Sequence, residues 1–358
     1  MSPLILRRLR DKFWPEPLPP VKSFEGQTVL VTGATAGLGL AAALHFATLG
    51  ASVVITSRSL PQGNGVKDEV EKRAGIVGQG KIHVIELDLS RYSSCLAFVD
   101  RLKEATATRR GLDVAVLNAG LINAEYVQSP EGWEETIQVN TLSTTLLGLL
   151  LLQLMRKRRP RASRKPHLVF VTSRDHIDPD IRDWARWATD DGILRHCSDR
   201  QNWPSHQIEP NYANSKLLLT YAVEEICKKA VEPDGRVGVI VNTVCPGLVF
   251  TSLGRAIAKG STLMQLAVPL HASVLGKSAD YGARFYVTAA RTSEDEHWLK
   301  RNTKGKYIQS LFGEEEYRIL AFPNLKSDTA LKVKALVWNE IITEMKRAVP
   351  VLEQLEGA

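Results

Sequence analysis

The β-branched run Thr28-Val29-Leu30-Val31-Thr32 passes through Gly33-Ala34-Thr35-Ala36-Gly37 into the alanine-rich stretch Leu38 to Leu49. A strand that turns on glycines straight into a helix leaves few folds open. Further β-branched runs then alternate with helical patterns. Val53–Thr56, Ile82–Leu87, Val114–Leu117, Leu168–Thr172, Val237–Val241 and Gly305–Gln309 read as six more strands. Helical periodicity covers about Pro130 to Met155, Tyr212 to Ala230 and Asp328 to Met345. The strands are apolar throughout rather than alternating, so helices must cover both faces of a parallel sheet. The predicted fold is α/β: a doubly wound, mainly parallel, seven-stranded sheet. Its domain spans residues 25–325 with an insertion at 174–210, between an N-terminal arm (1–24) and a C-terminal helical tail (326–358).

The glycine turn also predicts a ligand. Glycines allow a tight turn and close backbone approach, so a pyrophosphate can rest on the N–H groups that open the helix. Thr32, Gly33, Thr35, Ala36, Gly37, Leu38 and Gly39 are therefore candidate dinucleotide contacts, and the sheet is of the Rossmann type. The end of the second strand selects the dinucleotide. A carboxylate there would bond the ribose 2′-hydroxyl of NAD, whereas Ile55-Thr56-Ser57-Arg58-Ser59 offers none. The Arg58 guanidinium suits a 2′-phosphate, so NADP(H) is the expected cofactor.

Composition narrows the setting. Hydrophobic residues make up 44% of the 358, enough for a large core. The cysteines Cys95, Cys197, Cys227 and Cys245 are scattered without a CxxC pair, which fits a reducing, cytoplasmic compartment better than a disulfide framework. Much of the net charge of +7 lies in Arg156-Lys157-Arg158-Arg159-Pro160-Arg161 and Arg164-Lys165. That run reads as a solvated loop rather than a nucleic-acid contact, and no nucleic-acid partner is expected. Leu4 to Arg10 is too short to span a bilayer and suits an amphipathic arm resting on a membrane or on the domain, before a stiff linker at Pro15, Pro17, Pro19 and Pro20. Leu142 to Met155 is also too short and interrupted for a span. It reads as a core helix or, around Leu146 to Leu152, a homodimer face.

The chain resembles the short-chain dehydrogenase/reductase family, on motifs that fall in order between about Glu25 and Ala290. They are the glycine turn, Leu87-Asp88-Leu89, Asn118-Ala119-Gly120, Val139-Asn140, Ser173, Tyr212-x-x-x-Lys216 and Pro246-Gly247-Leu248-Val249-Phe250-Thr251. The resemblance implies that Asp88, with Leu89 beside it, contacts the adenine and that Asn118, Ala119 and Gly120 shape the cleft. Pro246, Gly247, Val249 and Thr251 would hold the nicotinamide. Asn140, Ser173, Tyr212 and Lys216 would be the catalytic tetrad, with Asn140, Tyr212 and Lys216 also touching cofactor.

The chemistry of those residue types agrees. Reducing a carbonyl needs an acid to protonate the developing alkoxide. Tyr212 and Lys216 share a helix face at i, i+4, and the lysine cation with an oxidised nicotinamide is expected to lower the phenol from its ordinary pKa of about 10. Ser173 would donate to the carbonyl oxygen. Asn140 would position a water linking Lys216 to solvent.

Ser173 and Tyr212 stand 39 residues apart, a long link that carries Trp184, Trp187, Trp203, His176, His196 and His206. Trp184 and Trp187 share a helical face, either as the wall of a lid over a bulky lipophilic substrate or as packing against the body. The histidines and Cys197 match no zinc spacing, so no metal is expected. Leu263, Met264, Leu266, Val268 and Leu270 add apolar character downstream. These regions resemble retinol-dehydrogenase-like and fungal natural-product reductases. The implied reaction interconverts a ketone or aldehyde and an alcohol on a lipophilic molecule of steroid, retinoid or secondary-metabolite type. The rivals are an idle NADP(H)-binding regulator and an epimerase or dehydratase on the same fold.

Overall fold

A computed structural model describes residues 13, 15, 17–107, 111–156, 164–205, 207, 209–249, 276–293, 308–309 and 313–350. The arm before residue 13, Thr251, the apolar segment to Leu275 and most of the basic run lie outside the described residues. Six strands of four to six residues and a two-residue seventh form one parallel sheet in the order β3-β2-β1-β4-β5-β6-β7. They are β1 (Thr28–Val31), β2 (Ser52–Ser57), β3 (Ile82–Glu86), β4 (Val114–Leu117), β5 (His167–Val171), β6 (Ile240–Cys245) and β7 (Ile308–Gln309). Between them run α1 (Gly37–Thr48), α2 (Leu60–Ala74), α3 (Tyr92–Thr106), α4 (Glu135–Arg156), α5 (Trp184–Asp190), α6 (Ile193–Ser198), α7 (Tyr212–Lys229) and α8 (Ala279–Ala289). Two further helices, α9 (Glu314–Leu325) and α10 (Asp328–Ala348), follow β7.

Each strand feeds two cores because successive side chains leave opposite faces. Val29 and Val31 pack with α1 and α8 residues such as Phe46 and Tyr286, while Leu30 faces the α3, α4 and α7 side. In β4, Val114 and Val116 join the first core and Ala115 and Leu117 the second. Strand order reverses between β1 and β4, which opens a crevice at their carboxyl ends.

The sixth strand corrects the sequence reading. It begins at Ile240, opposite His167, and runs to Cys245. Val237 instead forms an antiparallel bridge back to Val231, so the first apolar residues belong to a turn. Register with β5, not local hydropathy, fixes the start. The helix expected from Pro130 begins at Glu135, where the Glu134 carboxylate accepts from Thr136 N and Ile137 N.

α4 is long and apolar enough to cross a bilayer, but 83% of its apolar window is buried within the chain. Leu146 to Leu152 pack inside, which removes them as a free dimer face. At the edges of the basic run, Arg156 pairs with Glu232, Arg164 donates to Ser23 O and Lys165 to Val237 O.

The insertion packs against α10. Trp184 is fully buried in one core with Val333, Val337 and Ile341, and its ring stacks on Trp187 at 6.0 Å. The Glu340 carboxylate of α10 accepts from Ile193 N and Leu194 N, closing the start of α6. A buried Lys334–Glu224 pair ties α10 to α7. Trp184 and Trp187 therefore anchor the insertion, and neither lines the cleft at the strand ends.

Candidate active site

The crevice is a cleft of about 530 Å³ over the carboxyl ends of the strands. Its floor is the glycine turn. Gly33 adopts a φ of +65°, and a Cβ there would come within 2.9 Å of the Ala119 backbone. A Cβ on Gly39 would meet the Gly33 carbonyl at 2.2 Å, so the helix start fits against the turn only without a side chain. Ala36 at the N-cap offers no side-chain acceptor, which leaves the first N–H groups of α1 to the cleft. Thr35, Ala36, Gly37 and Leu38 line the same floor. An uncapped helix start with no Cβ in the way is what an anionic phosphate requires. The residues present fit a dinucleotide.

Thr32 does not line the cleft. Its Oγ1 accepts from Asn118 N and Ala119 N, both at 3.0 Å, and so ties the β1 turn to the end of β4. The Asn118 side chain completes the tie. Nδ2 donates to Thr32 O at 2.9 Å, and Oδ1 accepts from the buried Tyr286 hydroxyl at 2.9 Å. Tyr286, on α8, lines the cleft and was missed in the sequence, because nothing local distinguishes it from a core aromatic. Gly120 continues this wall beside the Lys216 ammonium.

At one end of the cleft Arg58 leaves β2 exposed, and no ion-pair partner faces it among the described residues. Asp88 and Leu89 lie opposite. The Asp88 carboxylate accepts from Ser90 N, and its own N–H donates to Ser94 Oγ. Gln62 and Ser90 also line this end, unforeseen in the sequence. Pro246, Gly247 and Val249 line the far side. Gly282 of α8 lets Leu38 and Val249 approach there, since a Cβ would meet them at 2.6 and 2.8 Å.

At the other end Ser173, Tyr212 and Lys216 converge. The Tyr212 phenol lies close enough to the Ser173 side chain for the serine to pull its pKa down in part. The Lys216 ammonium donates to Val171 O at 3.1 Å and sits 5.4 Å from the centre of the Tyr212 ring. Burial pulls the Lys216 pKa down to about 8. The Tyr212 phenol lies well above its ordinary value, because of burial first and then the charges of Asp175 and Glu209. The Lys216 cation by itself does not offset that burial, and the phenol stays protonated.

Asn140 lies behind the cleft wall, almost fully buried. Its Oδ1 accepts from Leu121 N, while Nδ2 donates to Leu121 O and Ser215 Oγ. Its side chain thus clamps the Leu121 backbone against α7. It belongs to a π-helical stretch, Gln138–Ser143, in α4. Asn211 opens α7 in the left-handed region at φ +57° and donates to Cys197 O at 2.6 Å. The insertion thereby fixes the start of the Tyr212 helix.

His176 supports Ser173 from below. Its Nδ1 lies 2.5 Å from Ser173 O, an obligate acceptor, so Nδ1 carries the proton and Nε2 accepts from the Tyr317 hydroxyl at 2.9 Å. Burial lowers its pKa to about 4. The unfolded chain takes up this proton near pH 6.5 and the folded chain resists, so stability is lost as pH falls from about 6.5 towards 4. Between pH 7 and 5 this site alone costs about 2 kcal/mol. Urea unfolding at the two pH values should show that loss, and His176→Asn should remove it.

The sequence model of the short chain dehydrogenase family matches residues 27–179. The short-chain dehydrogenase/reductase ffsI of Aspergillus flavipes is 33% identical over 342 residues, spanning 95% of this chain and 92% of that one. PhmF of Phaeosphaeria nodorum, named a short-chain dehydrogenase/reductase, is 35% identical over 282 residues, 78% of each chain. Among solved structures, a short chain dehydrogenase of Shigella flexneri complexed with NADP superposes with a TM-score of 0.54 at 20% identity, covering 78% of this chain and 96% of that one. One from Burkholderia phymatum in complex with NAD gives 0.54 at 17% identity, covering 80% and 89%. Fold and cleft already define a doubly wound α/β protein that takes its ligand at the switch point of the sheet. The chain belongs to the short-chain dehydrogenase/reductase family, a family of oxidoreductases.

Proposed function

We propose that this chain is an NADP(H)-dependent oxidoreductase that interconverts a ketone or aldehyde with an alcohol on a small lipophilic molecule. The observation that carries the reading is the convergence of a neutral phenol, Tyr212, with Ser173 and the Lys216 cation at one end of a cleft floored by the glycine turn. The turn and the open start of α1 would hold the pyrophosphate, Asp88 and Leu89 the adenine side, and Pro246, Gly247, Val249 and Thr251 the nicotinamide side. A reduced nicotinamide supplies a hydride when bound. Tyr212 donates its proton to the carbonyl oxygen as charge builds there, and Ser173 hydrogen-bonds that oxygen. Lys216 stabilises the phenolate left behind. Asn140 acts on this group indirectly, by holding Leu121 and Ser215 in place.

Purified protein should oxidise NADPH when offered aliphatic, aromatic and cyclic ketones, and the absorbance loss should require the ketone. No loss with any of them, despite NADPH binding, would leave the idle regulator as the better reading. Preference for NADPH over NADH rests on Arg58. Arg58→Ala should weaken NADPH binding about tenfold and leave NADH binding unchanged. Equal weakening of both in fluorescence titrations would remove Arg58 as the selector.

A further inference from the structure

On the reading above, Ser173 and Tyr212 present their hydroxyls to one carbonyl oxygen. They stand 39 residues apart, and a link of that length does not set their spacing. α9 supplies what the link lacks. Ser173 caps the 3₁₀ turn Arg174–Ile177, and its Oγ bonds to Asp175 Oδ2 at 2.8 Å, so the hydroxyl moves with the turn. One buried side chain of α9 grips that turn. Asn324 Nδ2 lies 3.3 Å from His176 O, 3.1 Å from Ile177 O and 2.9 Å from Pro179 O. Carbonyls only accept, so the amide shares its two protons among three acceptors. Tyr317, two helical turns earlier on the same face, donates its hydroxyl to His176 Nε2, whose Nδ1–H meets Ser173 O. Asn324, Tyr317 and His176 are all buried. The same helix also holds α7, which carries Tyr212 and Lys216. Asn324 O lies in the last turn of α9, where carbonyls lack a partner within the helix, and it accepts from the Tyr221 hydroxyl of α7 at 2.7 Å. Asn324 thus grips the Ser173 turn with its side chain and the Tyr212 helix with its carbonyl. Hydrogen bonds are directional, so these contacts fix a register that apolar packing alone leaves free to slide.

We infer that Asn324 and Tyr317 are positioning residues that act through Ser173, holding its hydroxyl where it meets the carbonyl oxygen that Tyr212 protonates. Neither residue lines the cleft, and no proton or bond of the reaction changes hands at α9. The inference rests on the reductase reading and deepens it by naming what sets the geometry of the pair.

The test is a double-mutant cycle on NADPH-dependent reduction of acetophenone, cyclohexanone and 2-octanone. Wild type, Asn324→Ala, Ser173→Ala and the double variant are compared, with rates expressed per NADPH-binding site so that misfolded protein is not counted. Asn324→Ala should lower kcat by about 10²-fold, the scale of a group displaced by an ångström, and leave the Kd for NADPH within about twofold. Ser173→Ala should itself retain measurable turnover, about 10²–10³-fold down. In that background Asn324→Ala should cost less than about threefold more, because the hydroxyl it positions is already gone. Tyr317→Phe removes one hydroxyl without emptying its site, and it carries the test if Asn324→Ala does not fold. It should show the same pattern at a smaller scale, about fivefold in wild type and near nothing in Ser173→Ala. A residue that merely stabilises the fold would lower both backgrounds by the same factor. Equal losses in the two backgrounds, or an unchanged kcat in the wild-type background, overturn the inference while the reductase reading stands. NADPH binding that falls together with kcat also overturns it, since α9 would then shape the whole cleft. Wild type that binds NADPH and reduces none of the three ketones overturns the reductase reading itself, and this inference with it.

Discussion

Tyr212→Phe should lower kcat by about 10²–10⁴-fold, the usual contribution of a positioned general acid. NADPH binding should be left nearly intact. The size follows from how the phenol is held. Burial and the neighbouring Asp175 and Glu209 charges keep it protonated far above neutral pH, so essentially every molecule carries the proton that reduction needs. Phenylalanine fills the same space and removes only the hydroxyl. The residues proposed to hold the cofactor at the glycine turn, Arg58 and Asp88 lie elsewhere in the cleft. Stopped-flow NADPH oxidation paired with fluorescence titration separates the two effects. A variant that turns over within tenfold of wild type would mean that another group protonates the alkoxide.

The same phenol shows where sequence reading reaches and where it stops. Tyr212 and Lys216 are neighbours by helix geometry alone, so their partnership was legible from their spacing. The sign of the phenol's shift was not. It depends on burial and on Asp175 and Glu209, whose nearness to the ring is a product of the folded insertion. The glycine turn was legible for a similar reason: strand, turn and helix are contiguous, and the conformation of Gly33 is a local demand. Thr32 and Asn140 carried the right motif letters and yet face other partners, Asn118 and Ala119 in one case and Leu121 in the other. The spacing of Trp184 and Trp187 said that a face would be buried, but its partner, α10, lies more than a hundred residues downstream. For β6 the apolar run was correctly seen, while its start was set by pairing with β5. Tyr286 and the Tyr317–His176 link to Ser173 are contacts between distant segments, and no window of sequence contains both ends.

Lys216→Met should cost activity and yield a more stable protein. The ammonium is buried, and the pull of its pKa from 10.5 to about 8 measures how much the folded chain disfavours its charge. Linkage gives the sign. The unfolded chain holds this proton up to about pH 10.5 and the folded chain only to about 8, so folding is penalised at neutral pH and the penalty lifts between pH 8 and 10.5. A methionine of similar length carries no charge to desolvate. After allowing for the lost bond to Val171 O, it should raise unfolding free energy at pH 7 by about 2 kcal/mol and abolish the alkaline rise. Catalysis moves oppositely. On the proposed mechanism the cation stabilises the phenolate that forms when Tyr212 gives up its proton, so kcat should fall about 10²-fold or more in the variant. In wild type the reductive rate should decline as pH rises through about 8, where Lys216 loses its charge. Urea unfolding and a pH–rate profile on the same two proteins check both halves. If Lys216→Met destabilises the fold, or the wild-type profile is flat through pH 8, the lysine is a structural strut rather than a strained catalytic charge.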